Sequence, residues 1–343
     1  MSINIIFFII RRVVNALITL LLLIVLVFVI IHVIAPSPLA LARLYTGPHA
    51  TTSELEAVAK EYGLDQPLYV QIVNYILNVL HGNLGIDPYY KVPVTTLIGK
   101  YLPRTLELVI PATILSVVIG LVTGAIAASN RNKPTDYFIR GVYLVTWASP
   151  PFFVATVLQL VVAYYLGLLP PTGTVNPLLP APKDITPFPI LNAMLTGDWS
   201  YFWSLVHHMV LPTISIALVS FGIVTRIARA SMLDYMDSDF ARLSLMKGLS
   251  RRKVVYGVVL RNASIPIVTL VALLFGYSVA GAVVIEDVYD YHGMGYFITQ
   301  AIENLDYTSV LGTTIVVGIS IIIANLVADI LYGILDPRVR VVE

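Results

Sequence analysis

The chain has 343 residues, of which 57% are hydrophobic and only 12% charged, about half the charge of an ordinary soluble domain. Such a chain cannot cover a globule of its size with polar groups, which argues against a soluble enzyme and for an integral membrane protein. Lys and Arg number 21 against 20 Asp and Glu, so no global field points to nucleic acid, and the lack of cysteine removes disulfides, thiolate metal sites and a cysteine nucleophile.

A bilayer core about 30 Å thick needs about 20 apolar residues as a helix. Six charge-poor windows meet that length. The first runs from Val13 to Ala35 and ends at Pro36 and Pro38. Its apolar core is too long for a cleavable signal, so it is expected to remain as a span. The second covers about Thr105 to Ser129, with Glu107 near its outer end and Pro111 inside. The third, Gly141 to Leu169, carries Pro150-Pro151, which should kink it. The remaining three cover His207 to Thr225, Ala263 to Ile285 and Thr308 to Ala328. The expected fold is therefore all-α, a polytopic membrane protein with six transmembrane helices and both termini on one side.

Basic residues choose the side. Arg11, Arg12, the 130–140 loop, the 226–261 segment and the tail residues Arg338 and Arg340 hold 15 of the 21. The opposite connections hold six, and Glu286 to Asp306 has five acids and no Lys or Arg. Both termini and the 226–261 segment are expected in the cytoplasm of a cell whose plasma membrane the chain spans.

The connections divide the chain further. After the N-terminus and first span (1–35), residues 36–104 are too long for a simple connector and read as an external helical insertion. Thr51-Thr52-Ser53 before Glu54 and Glu56 predicts a capped helix start, with Gly63 at its end. Leu68, Ile72, Tyr75, Ile76, Val79 and Leu80 fit one face of a further helix. A five-helix core occupies 105–335. Its external loop 170–206 is rich in proline and is expected to be extended, largely without regular structure. A second external loop covers 286–307, and 336–343 form a tail. The cytoplasmic loop 231–262 combines dense charge with apolar side chains. Ser231 to Lys247 is predicted as helix, Gly248 as its C-cap and Ser250 as the cap of a second helix. Phe240, Leu243, Leu245, Met246 and Leu249 within it indicate packing against something.

Catalytic and ligand motifs are missing. The chain has no GxxxxGK[ST] loop, HExxH, GxSxG or paired metal-ligand cluster. His207-His208 lies at a span end, where a solvated role outweighs metal binding, and successive helical residues point about 100° apart. Glu107 and Asp329 sit at span ends and favour a structural reading over an intramembrane function. No cofactor is expected, and energy for transport would come from a partner.

The strings RRVVNALITLLLLIVLVFVIIHVIAPSP, YGLDQPLYVQ with HGNLG, LPRTLELVIPATILSVVIGLVTGAIAA, DFARLSLMKGLSRRKVVYGVVLRNASIP, AGAVVIEDVY, the GMG at Gly293–Gly295 and LYGILDPRVR occur in order over nearly the whole chain. Together they resemble the inner-membrane permease subunits of oligopeptide/dipeptide-type ABC importers. The resemblance implies the type I importer permease fold, in which two permeases pair, two cytoplasmic ATP-binding subunits dock beneath and an external solute-binding protein delivers substrate. It also implies that the loop resembling the family's EAA loop is a coupling helix, carried by Asp239, Ala241, Arg242, Lys247, Gly248, Leu249 and Ser250, with Arg261, Asn262 and Pro266 downstream as support. Phe240 and Leu249 would fill an apolar groove on the ATPase while Arg242 and Lys247 pair with acids on its rim. Ser244-Leu245-Met246 departs from the family's usual Ala-Arg-Ala, and Tyr291-His292 replaces a common aromatic-Pro pair.

The leading expectation is a non-catalytic transport subunit for oligopeptides or dipeptides. Oligosaccharides or another small solute fit the same architecture. A stand-alone channel or secondary carrier is the runner-up, opposed by the scarcity of intramembrane charge. An intramembrane enzyme would lack a nucleophile with a base. Pro150, Pro151, Gly276 and Gly281 are the expected places for bending along the pathway.

Overall fold

A computed structural model describes residues 2–46 and 49–335, all of whose named elements are helices. The tail 336–343, with Arg338 and Arg340, lies outside the described residues. In chain order the helices are α1 (Ser2–Ile34), α2 (Pro38–Thr46), α3 (Thr52–Glu61), α4 (Leu68–Leu80), α5 (Val94–Ser129), α6 (Pro134–Ala148), α7 (Pro151–Leu158), α8 (Pro189–Thr196), α9 (Trp199–Met236), α10 (Asp239–Met246), α11 (Arg251–Lys253), α12 (Leu260–Ala263), α13 (Ile265–Val288), α14 (Met294–Glu303) and α15 (Tyr307–Leu335). Wider π-type turns extend α7 to Tyr165 and join α11 to α12. Four helices are long and apolar enough to cross a membrane, and two bent pairs bring the number to six when each pair counts as one span.

The third span breaks where a kink was expected. Its halves Pro134–Ala148 and Pro151–Tyr165 meet at 106°. A residue before proline is pushed out of the helical region, and here two consecutive residues, Ser149 (ψ 136°) and Pro150 (ψ 138°), are extended. One proline bends a helix; this pair interrupts it.

The centre of the bundle is the α5–α9 contact. Gly120 and Gly124 on α5 bring the two backbones together, since a Cβ on Gly124 would lie 2.6 Å from the Ala228 Cβ. Thr123 and Thr225 hydroxyls bond across the same contact at 2.8 Å. Just past the C-terminal end of α13, the Tyr289 hydroxyl donates to the Ala155 carbonyl at 2.9 Å and meets the Ser215 hydroxyl at 3.0 Å, tying this end to α7 and α9. Arg12 and Asp329 join α1 to α15 at the other end, 3.3 Å apart.

The insertion follows its predicted pattern in part: Tyr75 and Val79 of the expected α4 face pack inward, while Leu68 and Leu80 of that face are exposed. Thr51 and Glu54 form the reciprocal capping box at the start of α3, and Gly63 takes a left-handed φ of 63° just beyond that helix. Leu41, Leu55 and Leu64 bury against Val27 and Ile31 of α1 and Ile315 of α15. Loop 170–206 departs from expectation because it contains α8. Pro189 sits in the first turn, where its fixed φ favours helix, and Gly197 ends the helix at φ 74°. Glu107 accepts the Ile190 N–H at 2.8 Å, so the second span caps this small helix.

Glu286, fully buried near the C-terminal end of α13, does the same for α14. It accepts the Thr105 hydroxyl and the Gly295 N–H, each at 2.6 Å, while Thr105 accepts the Met294 N–H at 2.7 Å. This explains the GMG string: a Cβ on Gly293 would lie 2.4 Å from the Glu286 carboxylate, and one on Gly295 2.2 Å from Val283.

Candidate functional site

The segment from α9 to α13 builds a short hairpin at one end of the bundle. Ser231 to Lys247 is not one helix, as the sequence suggests. α9 continues to Met236, and α10 starts after Asp237 and Ser238, where Ser238 is extended (ψ 155°) and its hydroxyl turns back to the Tyr235 carbonyl. Short polar side chains that bond to nearby backbone favour such breaks.

The far end of α10 follows the predicted pattern closely. The Gly248 N–H donates to Leu245 O at 2.9 Å and the Leu249 N–H to Ser244 O at 3.3 Å, the paired bonds of a Schellman motif. Gly248 has φ +82° and open space around a hypothetical Cβ, so the requirement for glycine is conformational. Ser250 then accepts the Lys253 N–H at 3.4 Å and starts α11.

Ala241 is the buried anchor of α10, packed with Met232, Val254, Val255 and Val259 against Ala125 and Ala128 at the end of α5. Phe240, expected to enter a partner's groove, is half-buried against this cluster, with its ring 5.8 Å from that of Tyr235. The outward apolar residues are instead Leu243 (51% exposed), Leu245 (48%), Met246 (83%) and Leu249 (40%). Arg242, Lys247, Arg251, Arg252 and Lys253 surround them, all exposed. An apolar ridge edged by cations is complementary to an apolar groove edged by acids.

Behind the hairpin, two ion pairs reach the loop between α5 and α6 and the first turn of α6. Arg229 donates from Nε and a terminal nitrogen to both oxygens of Asp136, each at 2.7 Å, and the Asp136 side chain is fully buried. Asp136 also accepts the Asn132 N–H at 3.0 Å. Arg131 lies 3.6 Å from Asp237, at the α9–α10 break, in an exposed pair. Sequence reasoning missed both pairs; the available signal was an acid placed just after Pro134 in an otherwise basic loop.

The remaining sequence candidates are spread out. Asn262 donates to Val258 O at 2.7 Å and steadies the approach to α13, whose first turn holds Pro266. Arg261 is exposed. Gly276 serves packing, because a Cβ there would lie 2.8 Å from the Ala324 Cβ of α15. α13 itself bends by 45° between Val279 and Ala282, the stretch that holds Gly281. Among the described residues no group of three His, Asp or Glu could hold a metal ion.

The profile of the family described as "Binding-protein-dependent transport system inner membrane component" matches residues 120–341, and that of the corresponding N-terminal membrane component matches residues 5–109. A probable D,D-dipeptide transport system permease protein of Escherichia coli is 35% identical over 310 residues, 90% of each chain. A dipeptide transport system permease protein of the same species is 32% identical over 97% of this chain and 98% of its own. A di/tripeptide transport system permease protein of Pseudomonas aeruginosa is 34% identical over 81% of this chain and 82% of its own.

Proposed function

Since the chain belongs to the family of binding-protein-dependent transport system inner membrane components, we propose that it forms half of the translocation pathway of an ATP-driven importer, paired with a second homologous permease. Two cytoplasmic ATP-binding subunits hydrolyse ATP, and an external solute-binding protein supplies the cargo. The chain itself does no chemistry. The observation that carries this reading is the α10–α11 hairpin. Leu243, Leu245, Met246 and Leu249 stand exposed among five cations, and exposed apolar patches rimmed by polar groups mark interaction surfaces. Asp239, Ala241, Gly248 and Ser250 shape the hairpin, and Arg242 and Lys247 set its charge.

Movement of the hairpin reaches the spans by two routes. Ala241 bears on the ends of α5 and α9, and Arg229 pulls on Asp136 at the first turn of α6. The broken third span at Pro150-Pro151 and the bend near Gly281 are the places where the pathway changes shape, with Gly276 keeping α13 against α15. Both termini and the hairpin lie in the cytoplasm, as the basic residues require.

The cargo is a short peptide. The relatives named above are dipeptide, D,D-dipeptide and di/tripeptide permeases, and the chain offers few intramembrane charges, which suits a backbone with neutralised ends. Uptake of labelled dipeptides into vesicles holding the assembled transporter, with and without ATP, tests the reading. ATP-dependent uptake of dipeptide supports it. Uptake of oligosaccharide alone, or uptake driven by an ion gradient without the ATPase subunits, overturns it.

A further inference from the structure

We infer that α4 is a membrane helix of its own kind: it lies in the leaflet at the C-terminal end of α1, with one apolar flank on α1 and the other in the acyl chains. Its 13 residues, LYVQIVNYILNVL, contain no charge. At 100° per residue, Gln71, Asn74 and Asn78 fall within a narrow polar arc, and nearly all the rest of the circumference is apolar.

One apolar flank is covered. Tyr75 and Val79 pack into the cluster of Ile31 and Ile315, and the Tyr75 ring lies 5.8 Å from that of Phe28. The Gln71 side chain bonds His32 at 3.0 Å and donates to the Gln66 carbonyl at 2.7 Å, fixing the helix on α1. Among the described residues the other flank is uncovered: Tyr69 is 71% exposed, Val73 53%, Leu77 47% and Leu80 62%. A helix facing water would carry charge there.

Depth decides what covers that flank. Twenty residues counted from Val13 cover about 30 Å and reach His32. Phe28, which Tyr75 touches, therefore sits about 6 Å inside the edge of the hydrocarbon. The uncovered flank of α4 also continues an established lipid-facing surface. Val29 (51% exposed) and Val33 (75%) on α1 stand one position round from Phe28 and His32. Polar groups on the remaining arc can reach the headgroups, the arrangement of an interfacial helix.

The cysteine-free sequence permits a direct test. Val73→Cys, Leu77→Cys and Asn74→Cys are spin-labelled one at a time in the full chain, within the assembled transporter, in phosphatidylcholine/phosphatidylglycerol vesicles. Collision with oxygen, which partitions into lipid, is compared with collision with a water-soluble nickel chelate. The labels at Val73 and Leu77 meet oxygen more than nickel, and the label at Asn74 shows the reverse order. Nickel access at all three positions places the flank in water and overturns the inference. Shielding of Val73 and Leu77 from both reagents also overturns it, because a protein surface then covers the flank.

Discussion

At Gly248 the backbone turns with φ +82°, a conformation that costs an L-residue about 1–2 kcal/mol and a β-branched one more. Gly248→Val opposes the Schellman turn that sets the angle between α10 and α11, while the open space around the position leaves the spans untouched. The variant should insert normally yet hydrolyse ATP with uptake reduced at least about tenfold, the ratio expected from about 1.4 kcal/mol of lost coupling. Normal uptake per ATP, measured in vesicles, would remove Gly248 from the coupling role. Asp306 is buried beside Asp87, with Ser309 donating its N–H to the first and its hydroxyl to the second, each at 3.0 Å. Burial, with Asp87 adding to it, pushes Asp306 up to about 6 despite the bonds from Ser309. His49, Glu54, Glu61 and Lys91 line the same cavity as Asp306. A carboxylate whose folded pKa is raised contributes stability below its ordinary pKa and loses it as pH rises through about 6. Thermal unfolding followed from pH 4 to 7 should therefore show a component of falling stability that Asp306→Asn lacks.

Between elements, the buried Asp136–Arg229 pair is the tie that distinguishes a coupled hairpin from a merely attached one. Arg229→Met leaves Asp136 buried without its partner, at a cost of about 3–5 kcal/mol. Removing both charges, as Asp136→Leu with Arg229→Met, should recover most of that stability by thermal unfolding. The double variant should still spend more ATP per molecule imported, since α6 no longer follows α9. A double variant with unchanged ATP per import would make the pair purely structural. The contrast with the sequence reading is instructive here. Residues that signal through the local backbone were legible: Gly248 as a helix C-cap, Ser250 and Thr51 as caps, and the proline pair as the place where the third span bends, though not that it breaks there. Asp136 and Arg229 are 93 residues apart, and Glu286 meets Thr105 across 181. Such partners are set by tertiary packing, which periodicity does not carry. Phe240 was misplaced for a related reason: its apolar character announced packing, but only the break at Asp237-Ser238 decides that it turns inward while Leu243, Leu245 and Met246 turn out.

At the scale of the whole molecule, the low charge content that marks the chain as a membrane protein also locates its working surface. Eight of 21 basic residues lie between Arg226 and Arg261, around a hairpin whose Leu243, Leu245, Met246 and Leu249 are exposed. The opposite end carries the insertion and loops whose charge is largely acidic, held down by the buried carboxylates Glu286 and Asp306. On the proposed reading, a permease with this asymmetry is driven from its basic end and supplied from the other. Cross-linking from that basic end tests the claim most directly. With Met246→Cys as the sole cysteine, a short thiol-reactive linker in membranes holding the complete transporter should capture an ATP-binding subunit, in a yield that changes when ATP is trapped by vanadate. If Met246→Cys yields no such adduct and is instead labelled by an impermeant reagent from outside the cell, the hairpin is not the coupling element and the account fails.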